Sequence, residues 1–461
     1  MQYILRAPES VHCTINLPAS KSISNRALVI NALAQDFDGV VPPENLSHCD
    51  DTDVMVAALQ KMPYVINIKA AGTAMRFMTA FLSSRNGEHI LTGTERMTQR
   101  PIHVLVDALR VLGAEIDYVT NEGYPPLRVR GKKMSGGEIE IAGNVSSQYI
   151  SALLMIGPVM ENGLTLHLTG NIISRPYIDL TICTMKEFGA EVEWEDGNTI
   201  VVKAKPYESR KFTIENDWSA SSYWYEIMAL MGSSQLTPQL STLNSQPNSV
   251  ILPGLMDASR QGDSAVRYIY SMLGVKTEFA EKTQLKPNTV TLSCHHRGLP
   301  HFDFDFINQP DLAQTVVVTT ALLGIPFRFT GLQTLRIKET DRITALKTEM
   351  AKLGYELDDS EEGVLSWDGK RKEVDIEKVV IDTYEDHRMA MAFAPACIMF
   401  PGLKINNPEV VTKSYPHYWD DLKKAGFTVH SSTPSNSPQG GEQGSSPLGR
   451  SGWGFKPQNH S

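Results

Sequence analysis

The sequence predicts an α/β protein made of six copies of one βαβαββ unit, arranged as two similar halves of three units each. Three observations carry this prediction. One phrase recurs along the 461 residues: "LRVLGAEIDY" around Gly113, "MKEFGAEVEW" around Gly189, "YSMLGVKTEF" around Gly274, "AKLGYELDD" around Gly354 and "LKKAGFTVH" around Gly426. Each copy reads as the end of an amphipathic helix, a glycine suited to the left-handed position that closes a helix, and an alternating strand. The glycines stand 72 to 85 residues apart, which is too far for a solenoid repeat and suits a small module. One module is also written out in full, from "GEIEIAG" (strand) through "SSQYISALLMIGPVM" (helix), "GLTLHLTG" (strand) and "RPYIDLTICTMKEFGA" (helix) to "EVEWED" and "TIVVKA" (a hairpin).

Taken in order, "LPASKSISNRALVINALA" (17–34) reads as a helix from Ser22, with Ala27, Leu28, Ile30, Leu33 and Ala34 on its apolar face. "LQKMPYVINI" (59–68) is a degenerate copy of the recurring phrase, with Pro63 where the glycine belongs. The chain changes halves near "LPASK" and again near "ENDWSAS" at 215–221, where a new helix signal follows a completed hairpin. Residues 18–217 are therefore expected to form one continuous domain, and residues 1–17 to join 218–429 in the other. Residues 430–461 are rich in Ser, Pro, Gly and Gln without periodicity, and are read as a disordered tail with no catalytic role.

Composition narrows the function. A chain of this length exceeds one ordinary core, and 41% hydrophobic with 21% charged residues is a globular balance. No run of about 18 apolar residues could span a membrane. The N-terminus carries no export signal, so a cytoplasmic protein is expected. Five scattered cysteines without a C-x-x-C pair, and twelve histidines without ligand spacing, indicate neither a disulfide frame nor a metal site. A net charge of −9 argues against a broad nucleic-acid surface but leaves room for a local basic pocket.

That pocket is announced by cations placed where a helix dipole disfavours them. Lys21 and Arg26 open one helix; Arg76 in "AGTAMRFMTAFL", Arg100 in "QRPIHVLVDAL", Arg175 in "SRPYIDL", Lys338 and Arg342 in "LRIKETDRITAL", and Arg388 in "EDHRMAMAFAP" fall in the first turns of others. Helix starts offer free N–H groups, and neighbouring Arg or Lys adds full charge with donors shaped for phosphate or carboxylate. Any one of these charges could simply face solvent. Together they call for a multiply anionic ligand in one cleft, most strongly at Arg388, whose helix is apolar nearly all round. Ser146, Ser147 and Gln148 in "NVSSQYI" suit a neutral phosphate cradle and equally ordinary capping. "KETDR" fits a solvated charged turn as well as a site, and Asp311 in "NQPDLAQT" could simply cap a helix.

Together, "LPASKSISNRAL", "AGTAMRF", "RPIHVLVDAL", "VSSQYISALLM", "RPYIDLT", "KETDRI", "DHRMAMAF" and "TKSYPHYW" resemble, in order and context, the 5-enolpyruvylshikimate-3-phosphate synthase family over about residues 3–429. The resemblance implies two inside-out α/β domains of the enolpyruvyl transferase kind. It also implies transfer of the enolpyruvyl group of phosphoenolpyruvate to the 5-hydroxyl of shikimate 3-phosphate, with release of phosphate. By resemblance, Ser146, Ser147 and Ser174 hold the shikimate phosphate with Tyr177 nearby, Ser22 and Arg26 its carboxylate side, and Lys338 its hydroxyls. Arg100, Arg342, Arg388 and Lys413 bind phosphoenolpyruvate, which the backbone of Gly72 and Thr73 approaches. Gln148 lies between the ligands and Lys21 touches both. Asp311 is expected to handle the hydroxyl proton and Glu339 the C3 proton, with Lys21 sharing proton traffic. No metal, cofactor or covalent enzyme intermediate is needed, and a monomer is expected.

Ala70 and Phe77 stand where the family usually has Asn and Pro, Arg175 where Lys is common, and Thr334 where Asn is usual. The segment from Leu59 to Ala71 is shorter than usual, so its module is expected to lack part of a strand and loop. The sister enzyme acting on UDP-N-acetylglucosamine shares the fold, but it normally has Lys-Asn where this chain has Lys21-Ser22, and a mobile cysteine loop. RNA 3′-terminal phosphate cyclase uses related modules, but this chain lacks basic stretches interleaved with aromatics. A degenerate, merely binding relative would lose the ionisable set first, and Lys21, Asp311, Glu339, Arg342, Arg388 and Lys413 are all present.

Overall fold

The computed structural model describes residues 1–34, 43–233, 247–280, 288–295 and 298–432. Its sheets are small and share one plan. In the sheet of Gly137–Ala142, Leu164–Thr169, Thr199–Val202 and Val192–Trp194, the first pair is parallel and the next two pairings are antiparallel. Helix Ser147–Ile156 links the parallel strands and helix Arg175–Glu187 precedes the hairpin, which is the βαβαββ unit read from the sequence. The sheet of Val65–Asn67, Gly87–Thr92, Leu127–Gly131 and Glu115–Tyr118 repeats it. So does that of Phe302–Asp305, Phe327–Thr330 and Leu365–Trp367, with its third strand reduced to the bridge Asp358–Ser366.

Two further sheets are completed by the N-terminus. His12–Thr14 runs parallel to Ser249–Pro253, supplying the first strand of its unit. Gln2–Arg6 lies between Leu403–Asn406 and Thr428–Ser432, supplying the last strand of another. The remaining unit holds helices Lys21–Ala34 and Asp50–Lys61, and among the described residues its strands are the bridges Ala19–Asn216 and Glu44–Thr213. The two segments around Pro18–Ser20 and Glu215–Asp217 run side by side: Ser20 N–H donates to Glu215 O and Asp217 N–H to Pro18 O.

All five junction glycines take positive φ, from +83° at Gly189 to +104° at Gly113. At the degenerate copy the left-handed residue is Met62 (φ 39°), not Pro63, whose ring fixes φ near −65°. The shortened stretch keeps its strand, Val65–Asn67, at three residues. The last strand ends at Ser432, so the first three residues of the expected tail belong to it, and the rest of that tail lies outside the described residues.

Buried side chains form two large clusters, one from residues between Ala27 and Tyr207, the other from Leu5–Leu17 together with Trp218–Phe427. At each centre are three helices buried almost all round: Lys21–Ala34, Gly72–Ser83 and Ser147–Ile156, and then Trp218–Met231, Ala313–Leu322 and His387–Phe393. The partner helix of each unit is half-exposed and amphipathic. Helices therefore occupy the core and the sheets lie outside them.

Candidate active site

The starts of all six buried helices line one cavity of about 360 Å³ between the two clusters. Lys21 and Ser22, Gly72 and Thr73, Ser146 to Gln148, Asp217 and Ser219, Pro310 and Asp311, and His387 and Arg388 all face it. Six helix N-termini give it positive potential before any side chain is counted. Arg26, Arg100, Ser174, Tyr177, Lys338, Glu339 and Arg342 complete the wall, and Lys413 lines an adjoining pocket together with Arg100 and Glu339.

The first half contributes cations without counter-ions. Arg26, 3% exposed, donates only to neutral acceptors: Thr181 Oγ1 at 2.7 Å, Ser22 O at 2.9 Å, and Ser151 Oγ and Tyr177 O at 3.2 Å. Arg76, 5% exposed, donates to Gly72 O at 2.9 Å, and both Arg76 Nε and Arg100 Nε are buried without a partner. Among the described residues no carboxylate lies within ion-pair distance of these three guanidiniums. Burial pulls Arg26 and Arg100 down to about 10, and Arg76 adds to the effect on Arg100. The loop carrying Arg100 is held by Tyr149 Oη, which donates to Pro101 O at 2.7 Å. Gly72 makes the convergence possible: a Cβ there would lie 2.6 Å from Arg100 Nη1 and 2.9 Å from Arg76 Nη1. Lys21 is the exception in this half, paired with Asp51 at 3.0 Å; burial would lower its ammonium, but Asp51 together with Cys49 and Glu339 outweighs burial and holds it high.

The second half contributes a neutralised network. Asp311 does not cap its helix; it meets Arg388 Nη2 at 3.0 Å and Lys338 Nζ and Arg342 Nη1 at 3.4 Å. Glu339 meets Arg342 Nη2 at 2.9 Å and Lys413 Nζ at 3.2 Å. Arg342 is anchored by fully buried Asp386, Nε to Oδ2 at 2.7 Å. Burial alone would raise both carboxyls, but Arg388, Lys338 and Arg342 hold Asp311, and Lys413 and Arg342 hold Glu339, well below the carboxylate range. The halves touch beside the site: Tyr177 Oη donates to Asp263 Oδ1 at 2.8 Å, Ser174 N–H to Ile307 O at 2.8 Å, and Lys413 Nζ to Ala70 O at 3.4 Å. Buried charges lacking partners are costly, so the arrangement fits anions seated between three free guanidiniums and a pair of carboxylates.

A family profile described as EPSP synthase (3-phosphoshikimate 1-carboxyvinyltransferase) matches residues 5–65 and 60–422. The chain belongs to the EPSP synthase family. A 3-phosphoshikimate 1-carboxyvinyltransferase of Bacteroides fragilis is 57% identical over 430 residues, covering 93% of this chain and 99% of that protein. One from Photobacterium damsela subsp. piscicida is 34% identical over 438 residues, covering 89% and 96%. The solved EPSP synthase from Acinetobacter baumannii superposes with a TM-score of 0.71 at 19% identity, over 93% of this chain and all of that one, which establishes the shared fold.

Within this EPSP synthase fold some expectations need correction. Arg100 and Lys338 are not in first turns but in the loops before helices His103–Val111 and Arg342–Lys352, and Arg26 and Arg76 stand one turn inside their helices, where each donates back to the carbonyl four residues earlier, Ser22 O and Gly72 O. Ser146 does cap its helix, accepting weakly from Gln148 N–H at 3.4 Å, while the Gln148 amide donates to Thr73 Oγ1 at 3.0 Å. Arg175 is turned away from the cavity, stacked 3.9 Å over the Trp194 ring and bonded to Gly197 O. Thr334 faces the cavity with its hydroxyl buried and unpartnered. Sequence reasoning missed Asp51, Asp217, Asp263, Asp386 and His387. His387 is fully buried with neither ring nitrogen bonded, and burial, together with Lys21, holds it well below the usual range and hence neutral. No helix among the described residues is long and apolar enough to cross a membrane.

Proposed function

We propose that this chain transfers the enolpyruvyl group of phosphoenolpyruvate to the 5-hydroxyl of shikimate 3-phosphate, releasing phosphate. The observation that carries the reading is the cavity's unequal charge: three free guanidiniums on one wall and the paired carboxylates Asp311 and Glu339 on the other. Each substrate brings a phosphate and a carboxylate, and these anions supply the missing partners.

In this reading Arg100, Arg342, Arg388 and Lys413 hold phosphoenolpyruvate against the Gly72–Thr73 backbone. Ser146, Ser147 and Ser174 hold the shikimate phosphate beside Tyr177, with Ser22 and Arg26 at its carboxylate, Lys338 at its hydroxyls, Gln148 between the ligands and Lys21 touching both. Asp311 takes the proton of the 5-hydroxyl as that oxygen bonds to C2; Glu339, which takes up a solvent proton once phosphoenolpyruvate draws Lys413 and Arg342 away from it, delivers that proton to C3, giving a tetrahedral ketal phosphate. Elimination returns a C3 proton to Glu339, breaks the bond from C2 to the phosphate oxygen and releases phosphate. The cationic wall stabilises the charge that develops. The substrate anions also compete for Arg388, Lys338 and Arg342, which frees Asp311 to act as a base. We further propose that residues 18–217 and residues 1–17 with 218–429 move as two bodies whose closing excludes water, a reading supported by their separate hydrophobic cores. A monomer working in the cytoplasm completes the proposal, and light scattering at the mass of one chain is the expected result.

Turnover in D2O tests the chemistry. Reversible protonation at C3 predicts product carrying deuterium on its vinyl carbon, and product free of deuterium would overturn addition–elimination. Replacing Glu339 by Gln should abolish both labelling and turnover.

A further inference from the structure

Immediately before Asp386, His387 and Arg388 the backbone does something expensive. Tyr384 and Glu385 both lie in the left-handed region, φ 53° and 55°, where two consecutive residues with side chains are strained. Such strain persists only where surrounding contacts over-determine it. Those contacts come from one helix, Arg342–Lys352. Glu349, fully buried, accepts from Tyr384 Oη at 2.6 Å and from Asp382 N–H at 3.0 Å. Lys352 Nζ ties Glu349 Oε2 and Asp382 Oδ2, each at 2.8 Å, to Val380 O at 3.0 Å. At its other end the same helix begins with Arg342, which pairs with Asp386. Asp386 in turn caps the helix that carries Arg388, accepting from Arg388 N–H at 2.9 Å.

The helix therefore grips the strained turn at both ends, roughly two turns apart. We infer that Tyr384, Glu349 and Lys352 form a clamp that holds the left-handed pair and thereby sets where Asp386, His387 and Arg388 enter the cavity. They are positioning residues for the phosphoenolpyruvate end of the site, acting through Asp386 and Arg388 without facing the cavity themselves. Released from the clamp, Tyr384 and Glu385 relax toward ordinary backbone angles, and the Arg342–Asp386–Arg388 register slackens. This inference rests on the proposed assignment of Arg342 and Arg388 to phosphoenolpyruvate.

The test is Tyr384→Phe in the full chain; the residue is 37% exposed, so loss of one hydroxyl leaves the fold intact. Steady-state kinetics with each substrate varied are combined with calorimetric binding of shikimate 3-phosphate alone and a thermal melt. The clamp predicts a KM for phosphoenolpyruvate raised about tenfold, since Glu349 keeps a buried, unpaired oxygen, while the Kd for shikimate 3-phosphate stays within about twofold. Glu349→Gln, whose amide oxygen can accept from Asp382 N–H while its NH2 donates to Tyr384 Oη, should recover most of the wild-type KM where Glu349→Ala does not. An unchanged KM for phosphoenolpyruvate in Tyr384→Phe overturns the clamp, and so does an equal loss for both substrates that tracks melting temperature. Arg388→Lys separates the two levels of the argument. No change in its KM for phosphoenolpyruvate overturns the site assignment; a rise there with none in Tyr384→Phe overturns the clamp alone.

Discussion

Asp311 meets three cations, and Asp263, across the contact with Tyr177, meets none at ion-pair distance among the described residues; the two carboxyls therefore titrate in opposite directions. Asp311 is held below the ordinary range in the folded protein, so its stabilising effect is full above about pH 4 and is lost as pH falls further. Asp263 is pushed up to about 6, by burial first and by Asp311 second, so its ionised form costs stability above pH 6, a cost absent below its ordinary value. Melting curves across pH check both signs: Asp263→Asn should raise Tm at pH 7.5 and leave it unchanged near pH 4, while Asp311→Asn should lower Tm at pH 7.5 by an amount that shrinks toward pH 3. In phosphate-release assays Asp311→Ala and Glu339→Gln should each lose at least about 100-fold in turnover. The cations were legible in the sequence because Lys21, Arg26 and Arg388 break the dipole preference. Asp51 and Asp386 were not, because an acid at a helix start obeys that preference and looks ordinary. His387 gave no signal beyond its place beside Arg388.

At the scale of the element, the helix-to-strand junctions were readable because each needs one left-handed residue. Their glycines are not equally replaceable. A Cβ on Gly113 would meet Ser135 N at 3.5 Å, an ordinary contact, so Gly113→Ala costs only the left-handed backbone, about 1–2 kcal/mol. A Cβ on Gly354 would lie 2.1 Å from Lys372 O, so Gly354→Ala must also move backbone and should cost clearly more in denaturant unfolding. The buried helices were visible as apolar runs, with Thr315 and Thr319 of Ala313–Leu322 tolerated because each hydroxyl finds an acceptor or donor nearby. What no local pattern could show was the pairing of Gln2–Arg6 with Thr428–Ser432, strands more than 420 residues apart in sequence. That pairing predicts that a chain ending at Lys424 loses cooperative folding, whereas one ending at Ser432, which keeps the whole strand, retains turnover within about twofold.

For the whole molecule, the repeat count anticipated two similar halves, and the structure adds how they meet: six buried helices begin at one cavity. The division of labour between the walls was beyond sequence reasoning, since which cation pairs with which carboxylate depends on contacts such as Arg388 with Asp311, 77 residues apart. We propose that substrate anions supply the counter-ions that the guanidiniums of Arg26, Arg76 and Arg100 lack. The most direct measurement is phosphate release from phosphoenolpyruvate by the purified full chain, with shikimate 3-phosphate or UDP-N-acetylglucosamine as the only acceptor. The account predicts release that depends on shikimate 3-phosphate and is absent with the nucleotide sugar. Release with the nucleotide sugar alone, or with neither acceptor, would contradict it.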